Sequence, residues 1–314
     1  MPNLLEFCSQ NKTIAISTSR NKLLKMRKLL LVLSFFLGMV GSSMGQATQK
    51  MRHFMQQVPS QEGSIPYGNN PKAGKYVQVG DAKLYYEVYG EGDPFVILHG
   101  GLLGSTYEMH RFIDSLSINY QVIAISTRGH GKSELGKEKL SIDQKVGDIL
   151  AVITMETSKP VTILGFSDGG FGGFLFASNH PERVKKLIAM GAGEQTPELR
   201  KMEFNAVELF QLDPEFMKQQ LSMMPEPKRL MEFGNQIAEF YNSISISEEV
   251  FKKITCPVLV LAGENDQNAK LNTVIRAYQM LPNAQLGIIP NAGHGVFLEN
   301  FEAVWFSMVP FLKN

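Results

Sequence analysis

The chain is poor in cysteine, in excess charge of either sign and in long apolar runs. Its 314 residues include two cysteines, Cys8 and Cys256. Cleavage of a leader would remove Cys8, so no intrachain disulfide could form and the fold must rely on its core. Cys256 precedes a proline and an apolar run, and reads as a small buried packing residue. With 31 Lys and Arg against 30 Asp and Glu, the chain lacks the basic excess of a nucleic-acid binder. Neither HExxH nor paired CxxC occurs, so no metal site is expected, and no cofactor. Internal repeats and low-complexity tracts are absent. A chain of this length then holds one large domain, with or without a lid. The longest apolar run, residues 29–40, falls short of the roughly 20 residues that span a bilayer.

That run has a second meaning. Met26-Arg27-Lys28 precede it, and Ser43 and Gly45 stand at the −3 and −1 positions of a cleavage site. A basic n-region, a short apolar h-region and small residues make a secretory signal over 26–45, predicting export to the periplasm or medium. No cysteine follows the h-region, so a lipoprotein is not expected. Residues 1–25 fit nothing downstream and are expected to precede the true start, Met26. The mature chain would carry 25 basic and 29 acidic residues, about −4.

Residues 46–75 are polar and carry Pro59, Pro66 and Pro71, predicting an extended N-terminal arm or tether. From Tyr76 a hairpin pattern appears, with Gly80-Asp81 at its turn. Short continuous apolar runs follow at 95–98, 122–125, 161–164, 187–190, 258–261 and 286–289, alternating with helical stretches. Such runs imply burial on both faces, hence an α/β fold with a mostly parallel sheet flanked by helices. Ser141-Ile-Asp-Gln144 is a capping box opening one helix. Residues 194–254 break the alternation as charged, Met-rich helical segments separated by prolines. Met202, Met217, Met223, Met224 and Met231 are candidates to line an adaptable apolar cavity, or simply pack helix on helix.

The chemistry gathers on three loops. Val161-Thr-Ile-Leu-Gly165-Phe-Ser167-Asp168-Gly169 ends an apolar run in G-x-S-x-G. The flanking glycines suit a sharp strand-to-helix turn that presents the Ser167 hydroxyl above the sheet. A serine needs a base, and the base needs a group to fix its tautomer. Asp266 follows one strand and Gly-bracketed His294 follows the last, both on loops where a parallel sheet places its ligands. Glu264 is the rival acid. His53 lies in the arm, and His110 and His180 are in or near helices. Gly191-Ala-Gly193 lacks the third glycine of a dinucleotide site.

Four loops in this order resemble those of the α/β-hydrolase family over roughly Tyr76 to Leu312. The resemblance implies a core of 76–193 and 255–314, with 194–254 as a helical cap. It implies a Ser167, Asp266, His294 triad and an oxyanion hole from the N–H groups of Gly101 and Asp168. Leu102 is a one-residue alternative to Gly101, and Gly100 and Leu102 are expected beside the substrate. His99 and His130 fall in loops matching other family motifs. In Thr127-Arg128-Gly129-His130-Gly131-Lys132-Ser133 the family's usual acid two residues before Arg128 is replaced by Ser126, which puts a supporting ion pair in doubt. The implied activity is hydrolysis of small-molecule carboxylic esters, or of activated amides or aminoacyl esters, through an acyl-enzyme. The elbow is similar to the valacyclovirase (biphenyl-hydrolase-like) branch, where an acid after the nucleophile meets a substrate ammonium. The simpler role for Asp168 is to favour a helix N-terminus. Rival readings are C–C bond hydrolysis of dienoic diketones and a non-catalytic binding protein. Oligomeric state is not legible.

Overall fold

The computed structural model describes residues 50–58 and 60–313. The expected leader and the residues before it lie outside that range.

The continuous apolar runs pair into one eight-stranded sheet of order β1-β2-β4-β3-β5-β6-β7-β8. Its strands are β1 (Gly74–Val79), β2 (Ala82–Tyr89), β3 (Asp93–Leu98), β4 (Tyr120–Ile125), β5 (Val161–Phe166), β6 (Val184–Met190), β7 (Val258–Gly263) and β8 (Ala284–Ile289). The β1–β2 hairpin turns at Gly80-Asp81 and pairs antiparallel with β4 through β2; every pairing from β3 to β8 is parallel. β5 and β7 are buried along their whole length, as two-sided coverage requires. β8 departs from the pattern: only Ile289 is buried, because the strand has a neighbour on one side alone.

The helices are α1 (His110–Leu116), α2 (Ile142–Glu156), α3 (Asp168–Asn179), α4 (Ala206–Leu212), α5 (Pro214–Met223), α6 (Leu230–Ser243), α7 (Glu248–Phe251), α8 (Leu271–Met280), α9 (Val296–Glu299) and α10 (Phe301–Lys313). Apolar residues of α2, α3, α6 and α8 form one core; those of α1, α9 and α10 form the other. Ser141 caps α2, its Oγ accepting from the Gln144 N–H at 3.1 Å. The other half of the expected capping box is not made, since Gln144 Oε1 is buried without a partner.

Between β6 and β7 the chain builds α4 to α7. Phe216 and Met217 of α5 and Phe233, Ile237 and Tyr241 of α6 are buried. Met231, a candidate either to line a cavity or to pack helix on helix, is 52% exposed.

The arm is not a free tether. Met51 and Tyr67 are buried. Arg52 pairs with Asp213 at 2.8 Å, and the Met55 N–H donates to the same carboxylate at 2.8 Å. Gln219 of α5 donates to the Lys50 carbonyl at 2.7 Å. Prolines kept these residues out of helices and strands without keeping them off the body.

Candidate active site

β5 runs directly into α3, and Ser167 is the one residue between them. It holds φ 51°, ψ −112°, a region that ordinary side chains avoid. Both flanking glycines are sterically obligatory. A Cβ on Gly165 would lie 2.1 Å from the Gly169 carbonyl oxygen, and one on Gly169 would lie 2.2 Å from that of Leu98.

The turn aims Ser167 Oγ at His294 Nε2, 3.0 Å away. His294 Nδ1 lies 2.8 Å from Asp266 Oδ2 and 3.0 Å from Oδ1. A carboxylate can only accept, so Nδ1 carries the proton and Nε2 faces the hydroxyl as an acceptor. The Asp266 side chain is fully buried, and its Oδ1 also accepts the N–H groups of Asn268 and Ala269 at 2.8 Å each. Glu264, the rival acid, instead accepts the Asn291 N–H at 3.0 Å and holds the histidine loop. Phe166 packs on the His294 ring at 5.0 Å between centroids. Gly191 lies behind that ring, where a Cβ would come within 3.2 Å of Cε1. Gly191, the first glycine of the pair that fell short of a nucleotide motif, thus makes room for the histidine, while Gly193 makes room for the Thr273 backbone.

The loop after β3 is tightly wound. Leu103 N donates to Gly101 O at 2.6 Å, and Leu102 sits at φ 56°. Among the described residues, the N–H groups of Gly101, Leu102 and Asp168 meet no protein acceptor. Gly101 lies against Asp168: a Cβ there would stand 2.8 Å from that of Asp168. Gly100, expected beside the substrate, is fully engaged elsewhere. Its N–H donates to Glu108 Oε1 at 2.6 Å, and its carbonyl accepts from His99 Nδ1 at 2.6 Å. Both of its backbone polar groups therefore already have protein partners.

These buried partners are neutral at pH 7. Burial pushes the Glu108 carboxyl up to about 8, against the opposing Gly100 hydrogen bond. Burial also pushes His99 down to about 4 and His130 to about 3. Thr127 N–H donates to His99 Nε2 at 3.1 Å.

Leu102 lines a small cavity of about 20 Å³ with His130, Met217, Gln220, Met224 and Phe233 among its walls. That volume suits a single water-sized group. His130 Nε2 and Gln220 Nε2 are both buried without a protein partner.

Replacement of the family acid by Ser126 does not leave Arg128 bare. Asp148 grips its guanidinium at 2.7 and 2.8 Å, and Asp81 adds a contact at 2.9 Å. Both acids come from distant chain segments, so no local pattern points to them.

The Asp168 carboxylate is buried, at 6% exposure. Lys145 Nζ of α2 donates to its two oxygens at 2.8 and 2.7 Å, and the Tyr241 hydroxyl of α6 donates to Oδ1. Burial would raise its pKa, yet the Lys145 ammonium beside it brings the net shift below the usual carboxylate range. A carboxylate so enclosed has no face free for a substrate ammonium. The sequence marks neither Lys145 nor Tyr241: one is a charged residue on an amphipathic helix, the other lies in the inserted segment.

Among the described residues, no helix is long and apolar enough to cross a membrane, and no His, Cys, Asp and Glu cluster could hold a metal ion.

Residues 93–238 match the family model described as alpha/beta hydrolase fold. Among curated proteins, the chain is 26% identical to a 2-hydroxy-6-oxononadienedioate/2-hydroxy-6-oxononatrienedioate hydrolase of Cupriavidus pinatubonensis. That match covers 76% of this chain and 95% of the relative. It is 22% identical to the human serine hydrolase BPHL, over 77% of this chain and 86% of that one. Among solved structures, a serine hydrolase involved in carbazole degradation shares the fold with a TM-score of 0.66. It is 22% identical, and the match covers 76% of this chain and 98% of that one.

Proposed function

Because the chain belongs to the α/β-hydrolase fold family, we propose that it is a serine hydrolase cleaving carboxylic esters of small molecules through an acyl-enzyme on Ser167. The observation that carries this reading is the unbroken line from Ser167 Oγ to His294 Nε2 and from Nδ1 to buried Asp266. As Oγ attacks the ester carbonyl, its proton passes to Nε2, and the imidazolium is stabilised by the Asp266 carboxylate. The carbonyl oxygen takes up negative charge facing the free N–H groups of Gly101 and Asp168. Collapse breaks the C–O bond, and the alcohol leaves with the proton from Nε2. Water repeats the sequence on the acyl-enzyme, with His294 again as base. Residues 194–254 serve as the cap, and the small cavity beside Leu102 takes a group no larger than a water or methyl. An intact proton relay speaks against a non-catalytic binding protein. Enclosure of Asp168 by Lys145 and Tyr241 speaks against preference for aminoacyl esters through that side chain.

The second reading is C–C bond hydrolysis of a dienoic diketone, favoured by the Cupriavidus relative and compatible with the same three side chains. Export of the chain rests on the leader-like residues 26–45 alone, and a mature N-terminus at Gln46 is the expected outcome of N-terminal sequencing.

Labelling of residues 46–314 with a fluorophosphonate probe tests the activated serine. Labelling that vanishes in Ser167→Ala and fades in His294→Ala is expected. A folded wild type that never labels would overturn the reading. Parallel turnover of p-nitrophenyl esters and a dienoic diketone then separates the two chemistries.

A further inference from the structure

We propose that Lys145 is a charge-compensating and positioning residue for the oxyanion hole: it neutralises the Asp168 carboxylate, which would otherwise oppose the charge formed on the substrate. The inference rests on the serine-hydrolase reading and extends it to a side chain that touches neither nucleophile nor substrate.

Asp168 has two conflicting parts. Its backbone N–H, first in α3 and adjacent to the nucleophile, is one of the free donors at the oxyanion hole, with those of Gly101 and Leu102 on the facing loop. Its side chain is a carboxylate packed against the loop that supplies the other donors. A Cβ at Gly101 would stand 3.3 Å from Asp168 Cγ and 3.8 Å from Oδ2. Two negative charges a few ångströms apart in a buried site repel strongly. An unpaired Asp168 would therefore cancel much of what the hole contributes.

Lys145 removes the conflict. It meets both carboxylate oxygens at 2.7–2.8 Å, and its side chain is 17% exposed. Among the described residues it is the cation that touches Asp168, since Arg128 is committed to Asp148 and Asp81. His130, held neutral by burial, supplies no compensating charge. The backbone is shaped for the contact: a Cβ at Gly172 of α3 would lie 3.2 Å from Lys145 Cε. A side chain at 172 would crowd the lysine stem. Tyr241 adds a neutral donor from the segment between β6 and β7, so that segment is hydrogen-bonded to the residue carrying an oxyanion donor.

The test compares Lys145→Met, Asp168→Asn, the double variant and Tyr241→Phe. The readouts are kcat and KM on a short-chain p-nitrophenyl ester and the rate of fluorophosphonate labelling. Lys145→Met is expected to lower kcat about 10²-fold, like loss of one oxyanion donor, with KM within about threefold. Adding Asp168→Asn should restore at least tenfold of that loss, and Asp168→Asn alone should fall less than Lys145→Met. Tyr241→Phe should lose severalfold in kcat. Packing alone predicts the opposite: the double variant would be no better than the worse single one, and that result overturns the proposal. If Lys145→Met does not fold, Lys145→Gln serves, because its amide donates to Asp168 without neutralising it. A wild type that neither labels nor turns over refutes the serine-hydrolase reading itself; a labelling wild type without rescue refutes only the role of Lys145.

Discussion

Replacing Asp266 by Asn would change one atom's chemistry while leaving the shape of the site alone. Asp266 Oδ1 accepts two backbone N–H groups, from Asn268 and Ala269, at 2.8 Å each. An Asn there must turn its amide oxygen toward those two donors, because its NH2 has no lone pair for them. The NH2 then occupies the Oδ2 position, 2.8 Å from His294 Nδ1. Nδ1 is forced to accept, so the ring proton moves to Nε2, the nitrogen that must take the proton of Ser167. A histidine in the wrong tautomer costs about 10⁴-fold in kcat, roughly 5.5 kcal/mol of barrier at 1.36 kcal/mol per tenfold. Folding stability should change by no more than about 1 kcal/mol, since the backbone hydrogen bonds are kept. The assay is kcat on a p-nitrophenyl ester beside thermal unfolding of the same preparations. Glu264→Gln is the control: its oxygen still accepts the Asn291 N–H, and activity should stay within about threefold. A folded Asp266→Asn variant losing less than tenfold would refute the tautomer argument, as would an equal loss in Glu264→Gln.

Gly169→Ala places a Cβ 2.2 Å from the Leu98 carbonyl oxygen. A shift of the elbow costing about 2–3 kcal/mol or more is expected in urea unfolding, with loss of labelling; unfolding at the wild-type midpoint would contradict it. Asp148→Ala removes the main anionic partner of Arg128, whose side chain is 5% exposed and keeps Asp81 and the Val79 and Leu135 carbonyls. About 3 kcal/mol of stability should be lost at unchanged m-value, and a loss below 1 would show the pair to be dispensable. Glu108 and the two buried histidines tilt stability in opposite directions with pH. With its folded pKa raised to about 8, Glu108 contributes stability that is full below its unfolded pKa and lost as pH rises to about 8. His99 and His130, with pKa values lowered to about 4 and about 3, contribute stability that is lost as pH falls below about 6.5. Between pH 6.5 and 8 only the Glu108 contribution changes, so wild type should lose about 2 kcal/mol more than Glu108→Gln over that interval. Equal losses of unfolding free energy in the two proteins between those pH values, read from urea titrations, would refute it.

The sheet and the elbow were legible because each rests on a local constraint. Six continuous apolar runs mark two-sided burial, and two glycines around Ser167 mark a turn that hard-sphere sterics impose. The strand order places Ser167, Asp266 and His294 at the same end of the sheet, and their sequence order already carried that. Features that depend on residues distant in the chain were not legible. Arg128 lost its expected neighbour at Ser126 and found Asp148 and Asp81 instead. Gly100 looked available until Glu108, eight residues on, took its N–H. The arm's prolines suggested a tether because nothing local announces that Arg52 will reach Asp213, 161 residues away. Lys145 reads as a solvated charge on an amphipathic helix; only the approach of α2 to α3 turns it toward Asp168.

The left-handed backbone at Ser167 sets folding and chemistry at odds within one residue. Strain on the order of 1–3 kcal/mol is held there by the steric fit of β5, α3 and two glycines. Glycine is the residue that would relax it most readily, and glycine has no hydroxyl. A lineage selected for a well-folded chain alone would be free to drift toward glycine at 167, one substitution from a stable protein with a mute site. At 167 the hydroxyl that the proposed reaction needs and the glycine that the backbone would prefer exclude each other.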